Sequence, residues 1–149
     1  MTIGLLQHGS EIWMYYTGYD FTHGGYDKGT RYKGVVSRLV QRLDGFMSLD
    51  SAYGGGEFTT VPLVFKGERL KLNIDTSALG SARVEILDEG GRPVPGFGSS
   101  DCDVINGSYT NREVTWKNKG DVRPLVGRTV RLRFVMRSTK LYAFEFTGS

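Results

Sequence analysis

At 149 residues the chain has room for one domain, or for one domain and a fragment of a neighbour, and is too short for two full domains. Its 19 Lys and Arg against 16 Asp and Glu leave a net charge of +3, and the basic residues are dispersed, which argues against the concentrated patch of a nucleic-acid binder. The single cysteine, Cys102, excludes an intrachain disulfide and a thiolate metal cage, and no apolar run reaches the length that crosses a bilayer.

Met1 to His8 lacks the basic start and apolar run of a signal peptide. A soluble chain is expected, secreted if a longer parent supplies a leader. Neither nucleic acid nor membrane is an expected partner.

The first element is a strand over Glu11–Tyr16, with Ile12, Met14 and Tyr16 on one face and Trp13 and Tyr15 on the other. Both faces are apolar, so both are expected to be buried. Val35–Leu43 is its expected partner strand. Between them runs an excursion from Thr17 to Lys33 that is too long for a simple hairpin and rich in glycine and aromatic residues. Two strands alone are not independently stable, so this segment should join a larger sheet system, dimerise or belong to a neighbouring fold.

From Asp44 onward the period is two. Leu70, Leu72 and Ile74 alternate with Arg69, Lys71, Asn73 and Asp75; Ala82, Val84 and Ile86 alternate with Arg83 and Glu85. Arg112–Lys117 reads as a further strand with Val114 and Trp116 on one face. Val122–Gly127 reads as a helical turn started by Pro124 and ended by Gly127. Val130, Leu132, Phe134 and Met136 form one strand face, and Tyr142, Phe144 and Phe146 another, the two strands joined as a hairpin through Ser138-Thr139-Lys140. Gly54-Gly55-Gly56, Gly90-Gly91 and Asn106-Gly107 mark reversals between strands. Arg69, Lys71, Arg131, Arg133 and Arg137, set beside apolar residues, read as the solvated face of a sheet.

The fold expected is all-β: an antiparallel two-sheet β-sandwich, jelly-roll or lectin-like, over 44–149, preceded by an aromatic-rich strand pair over 1–43.

The order Gly4-Leu5, Glu11-Ile12-Trp13-Met14-Tyr15-Tyr16-Thr17-Gly18, Val36-Ser37-Arg38 and Arg42-Leu43-Asp44-Gly45-Phe46-Met47-Ser48-Leu49 resembles a junction in bacterial glycoside hydrolases of the family 32 and family 43 superfamily. There the last propeller blade meets a C-terminal sandwich. Gly55-Gly56-Glu57-Phe58-Thr59-Thr60, Leu70-Lys71-Leu72-Asn73-Ile74-Asp75, Val84-Glu85-Ile86-Leu87-Asp88 and Asp101-Cys102-Asp103 extend the resemblance over nearly the whole chain. These strings are structural. The superfamily's carboxylate motifs, an early Asn-Asp-Pro-Asn, an Arg-Asp-Pro and a Glu-Cys, are absent: Met14 is followed by Tyr15, and Cys102 follows Asp101. The resemblance therefore implies an accessory part without catalytic carboxylates, with an adjoining propeller domain as protein partner; a second copy of the chain is the alternative partner that the strand pair's lack of independent stability leaves open.

Candidate ligand residues come from the aromatic window. Tyr19, Phe21, Tyr26 and Tyr32 could stack on sugar rings while Asp20, Asp27 and His23 hold hydroxyls, making a polysaccharide or oligosaccharide the expected ligand. The alternative is that these rings seal an interface. No organic cofactor is expected. Asp101, Asp103 and Asn106 are closely spaced oxygen ligands of the kind Ca²⁺ prefers, but they lack the full spacing of a Ca²⁺ loop and also suit a self-bonded turn; Asp50 could add a carboxylate. His8 and His23 are too few for a typical zinc site. A Cys102–His nucleophile has no visible activating context. The function expected is non-catalytic carbohydrate binding or support of a glycoside-hydrolase-like protein. The alternatives are a structural or oligomerisation module, or a hydrolase fragment lacking its catalytic groups.

Overall fold

The computed structural model describes residues 4–20 and 33–148. Its contacts divide the chain into two units, Met1–Gly45 and Phe46–Ser149.

The first unit is one antiparallel sheet of β1 (Leu5–His8), β2 (Glu11–Tyr19) and β3 (Gly34–Arg42), in the order β1-β2-β3. The expected strand pair thus has a third member. Leu5–His8 shows no alternation of its own, but a tight reversal through Gly9, at φ 60°, lays it on the free edge of β2. Cross-strand partners share a face, so the register puts Leu5, Met14 and Leu39 together on one side and Leu6, Trp13 and Val40 on the other. Trp13 is stacked by the His8 ring at 4.1 Å and covered by the Arg38 guanidinium at 4.2 Å, while its indole N–H donates to Glu11 Oε2 at 2.8 Å. The expected burial of both faces is not what the structure shows. Leu5, Leu39 and Val35 on one face, and Leu6, Val40 and Val36 on the other, are exposed, because three strands cannot cover two apolar faces.

The second unit contains two sheets. One has the order β4 (Leu49–Ser51), β10 (Thr139–Thr147), β6 (Arg69–Asp75), β8 (Ser108–Glu113); the other has β5 (Gly56–Thr59), β9 (Val130–Arg137), β7 (Ser81–Asp88). All pairings are antiparallel. This is the two-sheet sandwich that the two-fold periodicity predicts. Its core lies between Leu70, Leu72 and Ile74 on one side and Val84, Ile86, Leu132 and Phe134 on the other, all buried. Each such side chain contributes about 1.5–3 kcal/mol by leaving water.

The hairpin expected of the last two strands does not form. The chain turns at Ser138, φ 44°, and passes from one sheet into the other, so β9 and β10 are in different sheets. A hairpin would set both apolar faces side by side on one sheet; the crossing makes them face each other. Tyr142 is also displaced from its expected place on the apolar face. Leu141 pairs with Ile74 and Ala143 with Asn73, leaving Tyr142 as the extra residue of a bulge, and the inward row becomes Leu141, Phe144 and Phe146. Phe134 meets Phe144 at 5.7 Å and Phe58 at 6.0 Å between ring centroids.

The strand expected over Arg112–Lys117 lies further upstream, as β8. Val114 and Trp116 are buried beyond its end, with the Trp116 indole N–H donating to the Val84 carbonyl at 3.0 Å. Arg123–Leu125 forms a single 3-10 turn with Pro124, as its residues predict. Residues 93–105 run along the outer edge of β7: Ala82 and Ile105 exchange reciprocal bonds at 2.9 Å, and Ile86 donates its N–H to the Phe97 carbonyl and accepts the Val94 N–H, each at 2.9 Å. That cover removes β7 as an exposed edge.

Gly80 sits where no side chain fits: a Cβ there would lie 1.6 Å from the Thr76 carbonyl oxygen and 2.3 Å from that of Ser138. Gly80→Ala is expected to abolish the folded sandwich. Gly91→Ala, at φ 79° in open space, should cost only about 1–2 kcal/mol. Urea unfolding followed by Trp fluorescence separates the two outcomes.

Candidate functional site

The outer face of the β5–β9–β7 sheet carries most of its polar chemistry, because alternation sends one side chain in two away from the core. The register sets Glu57 and Arg83 on either side of Val135, Thr59 and Glu85 on either side of Arg133, and Ser81 beside Arg137. This is the stripe that its sequence predicts to be a solvated face. Arg131, Arg133 and Arg137 belong to that reading and Arg83 does not; Arg137 is exposed as expected, whereas Arg133 is partly buried against Glu85.

Arg133 forms an ion pair with Glu85, which is only 4% exposed. Glu85 also accepts the Ser99 N–H at 3.3 Å. Arg83 Nη1 donates to the carbonyls of Ser99 at 3.1 Å and Cys102 at 2.7 Å. Arg137 Nη2 donates to the Leu79 carbonyl at 3.2 Å, and its guanidinium lies 5.6 Å from the Tyr53 ring centroid.

At this end of the sheet a shallow cleft of about 730 Å³ is lined by Gly54, Gly55, Gly56, Glu57, Ser81, Arg83, Val135, Met136 and Arg137. The glycine run is the turn its sequence predicts, with Gly55 at φ 81° and its N–H bonded to the Ala52 carbonyl at 3.0 Å. Lacking side chains, the run leaves the cleft open on that side. Tyr53, 69% exposed, precedes it. Sequence reasoning passed over Tyr53 in favour of the denser window upstream. The signal available was an aromatic residue next to three glycines and an acidic residue.

Of the aromatic window, Tyr19 and Asp20 are described, while Phe21, His23, Tyr26, Asp27 and Tyr32 lie outside the described residues. Tyr19 ends β2 opposite Gly34, and its ring covers that glycine closely, since a Cβ there would come within 3.1 Å of Tyr19 Cε1. Asp20 accepts the Lys33 N–H at 3.0 Å and donates its own N–H to the Lys33 carbonyl at 3.2 Å. Both residues thereby hold the base of the excursion.

The candidate Ca²⁺ residues each have a protein partner. Asp101 pairs with Lys117 at 2.6 Å, and Asp103 Oδ2 accepts the Thr115 hydroxyl at 2.6 Å and the Asn118 N–H at 2.8 Å. The Asn106 amide donates to the Gly80 carbonyl at 2.7 Å. The Thr115 hydroxyl, and after it the Asn118 N–H, hold the Asp103 carboxyl below its ordinary value. Asp50 is likewise lowered, chiefly by Lys140 and then by the Ser48 hydroxyl. Among the described residues no group of three or more His, Cys, Asp or Glu is placed to hold a metal ion. Cys102 is buried and receives the Val84 N–H on its sulfur at 3.2 Å; burial pushes its thiol up, away from the reactive thiolate.

A second depression of about 540 Å³, lined by Met47, Leu49, Phe58, Leu141 and Phe144 among others, is mainly apolar. Among the described residues no helix is long and apolar enough to cross a membrane. No protein-family model, curated protein or solved structure matches the chain.

Asp121 receives both the side chain and the N–H of Arg123, which draw its carboxyl down to about 2. Because the folded value lies below the ordinary 3.8, the stabilisation is present above the ordinary value and is lost as pH falls through the folded one. The urea midpoint of Asp121→Asn should fall below that of the parent at about pH 5 and converge with it towards about pH 2.

Proposed function

We propose that this chain is a non-catalytic carbohydrate-binding or accessory module, and that the sugar site lies on the outer face of the β5–β9–β7 sheet. The observation that carries this reading is the exposed Tyr53 ring beside a cleft lined by Glu57, Ser81, Arg83 and Arg137. A flat ring can pack on the C–H face of a pyranose, while a carboxylate, a hydroxyl and guanidinium groups read its hydroxyls. The cleft is shallow, so affinity should be modest and dependent on several sugar units. Among the described residues Glu57 is the one carboxylate lining it. Hydrolysis of a glycosidic bond by the usual route needs a second, placed about 5–9.5 Å away, so the cleft suits retention of a glycan and not its cleavage.

A second reading rests on the first unit. Its sheet presents large apolar side chains on both faces, more than an isolated surface usually carries. That favours an accessory role in which adjoining protein, an expected propeller domain or a second copy, covers the sheet.

Affinity electrophoresis through gels containing neutral and acidic polysaccharides tests the first reading. Retardation by at least one polymer is expected, and Tyr53→Ala should weaken it about tenfold while leaving the urea midpoint unchanged. No retardation in any gel would overturn carbohydrate binding and leave the second reading, for which sedimentation should then show self-association.

A further inference from the structure

The arginines on the outer face of the sandwich are not equivalent. Arg133 has its charge matched by Glu85. Arg83 and Arg137 line the cleft, and among the described residues neither lies within ion-pair distance of a carboxylate. Asp103 is near enough to feel the Arg83 charge, but its Oδ2 is engaged with Thr115 and Asn118. Both guanidinium groups are instead anchored by neutral carbonyls, Arg83 by Ser99 and Cys102, Arg137 by Leu79. Carbonyl anchoring fixes a guanidinium in place without neutralising it. Two positioned cations in one cleft, neither in direct ion-pair contact with a carboxylate, form a site for a negative group.

The donor inventory is specific. Arg83 bonds the two loop carbonyls through Nη1, leaving the Nε and Nη2 edge, the side-on fork that matches a carboxylate with two parallel hydrogen bonds. Arg137 makes its bond through Nη2, leaving Nε and Nη1. Ser81, paired with Arg137 and two residues from Arg83 along β7, adds a hydroxyl to the same cleft. Glu57, across Val135 from Arg83, sits on the other side of the cleft, where an acceptor suits neutral hydroxyls and repels a second acid.

We infer that this face takes an acidic saccharide, a polymer of uronic acid units, with one carboxylate held between Arg83 and Arg137 and a sugar ring on Tyr53. This rests on the carbohydrate reading above and narrows it to a ligand class. Glu57 then accepts hydroxyls of the same or the next unit. Binding is partly electrostatic and weakens as salt rises.

Polygalacturonate and its fully methyl-esterified form share a backbone and differ in the carboxylate, so they isolate the inferred contact. In affinity electrophoresis the parent chain should be retarded at least about tenfold more strongly by the acid than by the ester. Arg137→Gln should lose that preference, whereas Arg128→Gln, which removes the same charge from an exposed loop residue off the cleft, should keep it. Arg83→Lys, which keeps a cation but not the fork, should weaken acid binding with the urea midpoint monitored alongside; a loss of fold in that variant leaves the decision to Arg137→Gln. Equal retardation by acid and ester, or by neutral glucans alone, would overturn the inference and keep the carbohydrate reading. Absence of retardation by any polymer would overturn both. Retardation by dextran sulfate equal to that by polygalacturonate, and unchanged in Arg137→Gln, would show only general attraction of a basic chain for polyanions and would also overturn it.

Discussion

The sandwich depends on one change of direction, at Ser138. In two residues the chain leaves the sheet of β9 and enters that of β10, and the apolar rows of the two strands close on each other. The corner is held from several sides. The Ser138 N–H donates to the Ala52 carbonyl at 3.0 Å, the Thr139 hydroxyl donates to the Arg137 carbonyl at 2.7 Å, and the Ser77 hydroxyl donates to the Ser138 carbonyl at 3.2 Å. Gly80 lies between the same carbonyl and that of Thr76, and the two together leave no room for a Cβ. A second crossing, from β4 to β5, runs beside the first, and the Ser51 hydroxyl ties the two by donating to the Met136 carbonyl at 2.8 Å. The stretch Ala52–Gly55 belongs to this second crossing. Tyr53, the glycine run and Arg137 are therefore neighbours because two sheet-to-sheet crossings share one corner.

The outer face of the three-stranded sheet shows how neighbouring charges acquire different roles. Glu85 is buried, and a buried carboxylate requires compensation, which Arg133 and the Ser99 N–H provide. Its neighbour Arg83 bonds the carbonyls of the segment that covers the edge of β7. One loop thus closes the sheet edge, supports the Glu85–Arg133 pair and holds Arg83 at the cleft. Packing and site are coupled through it.

The first unit follows a different balance. Its long β2–β3 ladder satisfies backbone groups over nine residues of each strand, and Trp13, His8 and Arg38 make a local cluster. Hydrogen bonding therefore supports the sheet more fully than apolar burial does. Tyr19 over Gly34 and the Asp20–Lys33 bonds close the base of the glycine-rich excursion, so these residues have structural work at the position where sequence density suggested a ligand platform.

The amino-acid sequence alone determined the all-β class, most of the strands and the strand-borne part of the core, because alternation of apolar and polar residues is a local property that each strand carries within itself; Phe65, Val94, Ile105 and Leu125, buried outside the strands, carry no such pattern. Leu70–Ile74, Ala82–Ile86 and Val130–Met136 were legible for that reason, as was the Pro124 turn. Only the tertiary structure decided how strands combine. No local pattern distinguishes a hairpin from a crossing at Ser138, and a one-residue bulge at Tyr142 shifts parity without altering composition. Leu5–His8 became a strand because an edge was available to it. The candidate cleft was hidden for the same physical reason: Tyr53, Ser81, Arg83 and Arg137 are far apart in sequence, and their meeting depends on which strands pair. Whether an arginine's charge is matched by a carboxylate or held by carbonyls is a matter of distance between side chains, which the chain acquires only on folding.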